Sequence, residues 1–160
     1  MRYSNDHKSY TVKEATIKLM QFCAYRDRSQ KEVEEKLLDM RMIPVAREKI
    51  IIQLMRENFL NEERFARSFA RGKFRIKKWG KNKIKQELKA REISTPLIRI
   101  ALTEIDDEDY FKTLRELTDK KSLLLMEKDP FKKRNKLSNY LLQKGFESSL
   151  VYEVTGDIIK

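Results

Sequence analysis

An apolar pair four residues apart recurs three times along this chain, as Val33 and Leu37, Ile84 and Leu88, and Leu137 and Leu141. The pair returns after 51 and then 53 residues, and side chains at i and i+4 share one face of a helix. After the last two pairs a further apolar residue follows five positions on, Ile93 and Phe146, and the next segments begin Leu97-Ile98 and Leu150-Val151 at matched offsets. A unit of about 50 residues that must borrow its neighbour's surface to cover its own apolar face is the mark of a tandem array.

Local signals divide each unit into helices. Thr11-Val-Lys-Glu14 and Ser29-Gln-Lys-Glu32 have the capping-box form, in which the hydroxyl accepts from the third helical amide and the glutamate reaches back to the cap N–H. Asn61 precedes two glutamates at a positive dipole end. Thr95-Pro96 and Asp129-Pro130 each place a cap before a proline, and Gly145-Phe146 reads as a helix stop. These signals predict nine helices, at 12–26, 30–41, 45–57, 62–78, 81–91, 96–105, 107–127, 130–144 and 147–158. With only 4 glycines and 3 prolines, turn formers are too few for a β-sandwich or barrel. The expected fold is all-α, an elongated array of three-helix repeats at 11–60, 61–105 and 106–160 after a flexible tail, 1–10.

Charge is where the chain departs from an ordinary helical array. Its formal net charge is +11, and the segment from Arg64 to Arg91 alone carries 12 basic residues against one acid, Glu87. The rest of the chain is therefore neutral, with 24 groups of each sign. From Arg64 to Lys85 ten cations follow one another without an acid. Solvated helix faces normally mix signs, because pairs at i, i+4 stabilise them by about 0.2–0.5 kcal/mol each. Ten unrelieved cations weaken a fold and point to a polyanionic partner, either nucleic acid or an acidic protein groove.

Helical spacing sorts this segment into two stripes. Phe65, Phe69, Gly72, Ile76 and Trp79 are predicted to face the core, and Arg64, Arg67, Arg71, Arg75 and Lys78 to run beside them. Phe74 falls near the arginines, so an aromatic is expected among cations. After the Trp79-Gly80 turn come Lys81, Lys83 and Lys85. The candidate site is the basic face of Arg64, Arg67, Arg71, Arg75, Lys77, Lys78, Lys81, Lys83 and Lys85. Nothing in it resembles a base-reading code, so it is expected to meet the DNA phosphate backbone with little sequence preference. About six phosphate contacts would give log K a slope of about −5 against log salt.

Other chemistry is sparse. The sole cysteine, Cys23, can form neither an internal disulfide nor a thiolate zinc site; it is expected in the core of a protein kept in a reducing compartment. No apolar run reaches membrane-spanning length and the first ten residues lack the apolar stretch of a secretory signal, so a cytoplasmic protein is expected. The only histidine, His7, lies in the polar tail, and there is no glycine-rich phosphate loop. Asp106 to Asp109 form a compact acidic cluster, which at a helix start is expected to serve the dipole. No catalytic residue, metal site or cofactor is expected.

Three blocks also carry a family resemblance. Tyr25-Arg-Asp-Arg-Ser29-Gln-Lys-Glu32-Val-Glu-Glu-Lys-Leu37, Asn58-Phe-Leu-Asn-Glu-Glu-Arg64-Phe-Ala66 and Trp79-Gly80-Lys-Asn-Lys-Ile84-Lys-Gln-Glu87-Leu88-Lys-Ala-Arg91-Glu-Ile93 together resemble the RecX family of recombinase regulators. Two glycines usual in that family are Asn58 and Glu92 here. Asparagine tolerates a left-handed turn and glutamate does so poorly, so the turn before Ile93 is expected to differ. The resemblance implies a non-enzymatic, three-helix-repeat modulator of RecA. Such proteins lodge in the groove of the RecA–DNA filament, inhibit its ATPase, strand exchange and co-protease activity, and so regulate recombination, repair and the SOS response. Nothing in the sequence itself suggests an obligate dimer or a membrane partner, so a monomer is expected. Two other readings stay open: a stand-alone helix–turn–helix DNA-binding protein, and a helical adaptor with no nucleic-acid role.

Overall fold

The structure is a computed structural model that describes residues 9–159; His7 and most of the predicted 1–10 tail lie outside the described residues. Among these residues there are nine helices and no strand: α1 (Val12–Tyr25), α2 (Gln30–Asp39), α3 (Pro44–Arg56), α4 (Glu62–Arg75), α5 (Lys81–Ala90), α6 (Thr95–Leu102), α7 (Asp107–Leu124), α8 (Pro130–Gln143) and α9 (Ser148–Ile158). The all-α, helical-repeat reading therefore holds.

The predicted starts are built as their sequences suggest. The Glu14 amide donates to Thr11 Oγ1 at 3.1 Å while the Thr11 amide donates to Glu14 Oε1 at 3.4 Å, closing the capping box. Ser29 accepts from the Glu32 amide at 3.2 Å, Asn61 from Arg64 at 2.9 Å and Asp129 from Phe131 at 2.9 Å. Within the acidic cluster, Asp106 accepts from the Asp109 amide at 3.1 Å and caps α7. One start moves. Thr95 is already helical, and the extended residue before α6 is Ser94, whose side chain makes no cap bond.

The chain forms two compact units. The first takes in the described residues up to Phe65 together with Arg91–Ile93; the second takes in Ala66–Ala90 and the described residues from Ser94 onward. In the first unit α1, α2 and α3 pack on one another around Leu19, Leu37, Ile50 and Leu54, each at most 1% exposed. Cys23 belongs to this core, and burial raises its thiol pKa. In the second unit α5 packs on α6, and α7, α8 and α9 pack on one another.

All six members of the recurring apolar pair are fully buried, at 0% exposure. The repetition extends further than the pair. Eight residues after its first member, Arg41, Glu92 and Gly145 all have positive φ, at 58°, 59° and 99°. Each is followed by a buried apolar residue, Met42, Ile93 and Phe146. At the first and third of these turns the residue after the bend donates back to the helix, Met42 to the Leu37 carbonyl at 3.1 Å and Phe146 to the Leu141 carbonyl at 3.2 Å. This is the Schellman stop. Glu92 thus adopts the left-handed conformation that a glycine would have supplied, and the turn before Ile93 keeps the repeat's geometry, against the sequence expectation. Asn58 is left-handed too, at φ 60°.

The stripe drawn for α4 needs correction. α4 spans Glu62–Arg75 rather than reaching 78, although helical i→i−4 bonds run on as far as the Lys78 amide and the Phe74 carbonyl. The predicted stripe has the wrong phase, because the buried face steps through Ala66, Ala70 and Phe74. Ile76, assigned to the core, is 78% exposed. Phe74, expected among cations, is 7% exposed and lies 5.8 Å from the Tyr110 ring, which in turn lies 5.3 Å from Phe146. The buried positions of α4 are Phe65, Ala66, Ala70 and Phe74.

Candidate nucleic-acid interface

The basic face divides according to what each cation already touches. Arg64, in the first unit, is held as a structural cross-tie: Nε meets Asp27 Oδ1 at 2.6 Å, and Nη2 donates to the Asn58 and Phe59 carbonyls at 3.1 and 3.2 Å. In the second unit Arg67 and Arg71 converge on one carboxylate, Glu104, at 3.0 and 3.2 Å. Hydrogen bonds from the two guanidiniums hold the Glu104 carboxyl below the usual carboxylate range. Lys81 stands 3.6 Å from Asp107 and 4.8 Å from the Tyr110 ring centroid.

The remaining candidates have no such partner. Among the described residues, Arg75, Lys77, Lys78, Lys83 and Lys85 have no carboxylate within ion-pair distance, and neither has Lys73. Arg75, Lys77, Lys78 and Lys85 are exposed. The end of α4 and the start of α5 therefore form the part of the face whose charge is not internally neutralised.

The turn that presents them is built from backbone. Lys78 takes the left-handed conformation, φ 59°, and the Trp79 amide donates back to the Lys73 carbonyl at 3.2 Å. Trp79 is thereby folded over the last turn of α4. Its ring lies 6.4 Å from Phe69 in an edge-on contact, with Lys73 Nζ 5.0 Å and Lys83 Nζ 4.6 Å from its centroid. Trp79 is half-buried, where the sequence placed it in the core.

The next residue, Gly80, brings α5 against the end of α8. Its amide donates to the Lys144 carbonyl at 2.8 Å, and the Asn82 amide donates to the Gly145 carbonyl at 2.9 Å. No side chain fits between them: a Cβ on Gly80 would lie 2.2 Å from the Gly145 carbonyl carbon, and one on Gly145 would lie 2.3 Å from Lys83 Cβ. This close approach adds a cation that sequence reasoning missed. Lys144 Nζ donates to the Lys77 carbonyl at 2.8 Å, and partial burial, with Lys83 and Lys77 nearby, lowers its pKa. The lone glycine in that position, Gly145, was the available signal. Below the turn, Tyr110 fixes α5: its hydroxyl accepts from the Lys81 amide at 3.0 Å and donates to Glu147. Burial first, and that carboxylate second, push the Tyr110 pKa well above the ordinary phenol value.

Residues 61–102 match the family model described as "RecX, second three-helix domain", and residues 107–155 match "RecX, third three-helix domain". The chain belongs to the RecX family. All the unpaired cations of α4 and α5 fall in the second RecX domain and Lys144 in the third. The regulatory protein RecX of Oceanobacillus iheyensis is 30% identical over 146 residues, covering 91% of this chain and 51% of that protein. That of Clostridium acetobutylicum is 30% identical over 148 residues, covering 90% of this chain and 68% of the relative. The chain thus spans from about half to two thirds of the length of these curated RecX relatives. In fold it is similar to the crystal structure of RecX from Lactobacillus salivarius, with TM-score 0.82 at 22% identity over 92% of this chain and 96% of that one. Among the described residues no helix is long and apolar enough to cross a membrane.

Proposed function

We propose that this RecX-family protein binds the groove of the RecA–DNA filament and damps RecA's ATPase, strand-exchange and co-protease activities, acting as a monomer in the cytoplasm. The observation that carries the reading is the segregation of charge. Arg67, Arg71 and Lys81 have carboxylate partners within the second unit, and Arg64 has one within the first, whereas Arg75, Lys77, Lys78, Lys83 and Lys85 have none. Cations held together without counter-charge gain when phosphates arrive, because condensed counterions are released from the nucleic acid. In this reading the module at 61–105 meets DNA, while the modules at 11–60 and 106–160 contact RecA protomers. Catalysis has no part in it; regulation follows from occupying the groove.

The test is RecA's DNA-dependent ATPase titrated with this protein. Progressive inhibition is expected, and a flat titration overturns the reading. The triple variant Lys77→Glu, Lys78→Glu, Lys85→Glu should retain its helical circular dichroism and lose the inhibition. Full inhibition by that variant would remove the basic face from the mechanism. Tight, sequence-dependent duplex binding without RecA would instead favour a stand-alone DNA-binding protein.

A further inference from the structure

We propose that Trp79, with Lys73 and Lys83, forms a stacking subsite for one unpaired nucleobase, so that the basic face selects single-stranded over duplex nucleic acid. The inference rests on the reading of that face as a phosphate interface and adds a residue that reads strand state. An indole in a helix-to-helix turn is normally buried for its apolar area. This one is half-buried, and the groups drawn to its π-system are two ammoniums, 5.0 and 4.6 Å from the ring centroid. Neither lysine has a carboxylate partner among the described residues. Both are flexible, hydrated ions that the ring holds weakly.

A flat base offers the indole more. Base–aromatic stacking outweighs an exposed cation–π contact and tolerates any sequence, since every base has a π-face. The displaced ammoniums need not leave: on four-carbon stems they swing to the phosphates flanking the stacked base. Phe69, edge-on to the indole at 6.4 Å, and the Trp79 amide bond to Lys73 fix the ring's attitude before a base arrives. Lys77 and Lys144, joined through the Lys77 carbonyl, lie beside Lys83 and continue the positive track. A duplex cannot use the ring without first unstacking a base, so it is left with the phosphate contacts alone.

Trp79 is the only tryptophan in the chain, so its fluorescence reports this subsite without labelling. Oligothymidylate added to the protein at low salt is expected to quench that fluorescence, and a mixed-sequence duplex of equal length is expected to bind without comparable quenching. By anisotropy of labelled oligonucleotides, Trp79→Leu should weaken single-strand binding by about 5- to 100-fold and leave duplex binding nearly unchanged. Trp79→Phe, which keeps a stacking ring, should recover most of the loss, with circular dichroism confirming the fold of both variants. Salt-sensitive binding of both strands with unquenched Trp79 and equal affinities for wild type and Trp79→Leu would overturn the subsite and leave the phosphate interface standing. Failure of the wild type to bind either strand would overturn both.

Discussion

Placing a single methyl group at Gly80 should do about as much damage as truncating a buried core side chain. The Cβ would lie 2.2 Å from the Gly145 carbonyl carbon, 2.3 Å from the Phe146 nitrogen and 2.4 Å from the Gly145 oxygen. All three are backbone atoms, so no side chain can turn aside. Reaching ordinary contact at 3.4 Å requires the start of α5 and the end of α8 to part by about 1.2 Å. The bonds from Gly80 to Lys144 and from Asn82 to Gly145, at 2.8 and 2.9 Å, would then stretch to about 4 Å, beyond hydrogen-bond range. Leaving such groups unsatisfied costs about 1–3 kcal/mol for each bond lost. Gly80→Ala should therefore destabilise the second unit by about 3–5 kcal/mol, and at about 4–8 °C per kcal/mol for a unit of this size lower its Tm by roughly 12–40 °C. Urea and thermal unfolding followed by Trp79 fluorescence, one residue away, measure it. Gly72→Ala is the control, since a Cβ there meets nothing within 4 Å in the middle of α4; it should stabilise by about 0.5–1 kcal/mol. A Gly80→Ala variant within 1 kcal/mol of the wild type, or a Gly72→Ala loss of similar size, would refute the steric argument.

Glu92 is left-handed at φ 59° and exposed, and it adds to the pKa elevation of Glu62, whose first cause is burial. Glu92→Gly should stabilise by about 0.5–1 kcal/mol in equilibrium unfolding, because the relief of left-handed strain exceeds the added freedom of the unfolded chain. Glu104→Gln should change two readouts. Because the folded carboxyl is held below its ordinary value, its contribution to stability is present above the unfolded pKa and is lost as pH falls through the folded one. Acid titration from about pH 5 to 3 should accordingly destabilise the wild type more steeply than the variant. At neutral pH the same change removes the ion pair of Arg71, and if the basic face meets phosphates the salt dependence of DNA binding should steepen by up to about 1 in log–log slope.

The helices were legible because caps are local: Thr11, Ser29, Asn61, Asp106 and Asp129 act on amides two or three residues away. The apolar pairs were legible because a buried helix face repeats with the helix itself. What failed needed knowledge of distant chain. Phe74 is buried by Tyr110 of α7, and no period within α4 reports that partner. The ion pairs inside the basic face were hidden for the same reason. Asp27 neutralises Arg64 and Glu104 neutralises Arg67, each across 37 residues, so a charge count over a window assigns both arginines to a surface that they only partly serve. Lys144 enters from the opposite direction, 67 residues from the Lys77 carbonyl that it meets.

The three equivalent helix stops explain why that last contact exists. Arg41 and Glu92 accept left-handed strain at positions where the side chain is exposed. Gly145 has a φ of 99°, and a Cβ there would strike the Lys83 backbone nitrogen at 2.6 Å. Glycine at this one stop is thus a requirement of packing as well as of conformation, imposed by the start of α5. A repeat that ended in an ordinary left-handed residue could form its own turn but could not receive Gly80 against its backbone. Removing that requirement would also remove Lys144 from Lys77 and Lys83. The glycine that terminates α8 is therefore what extends the cationic surface of the second RecX domain onto the third, and Gly145→Ala should weaken DNA binding although no charge is altered.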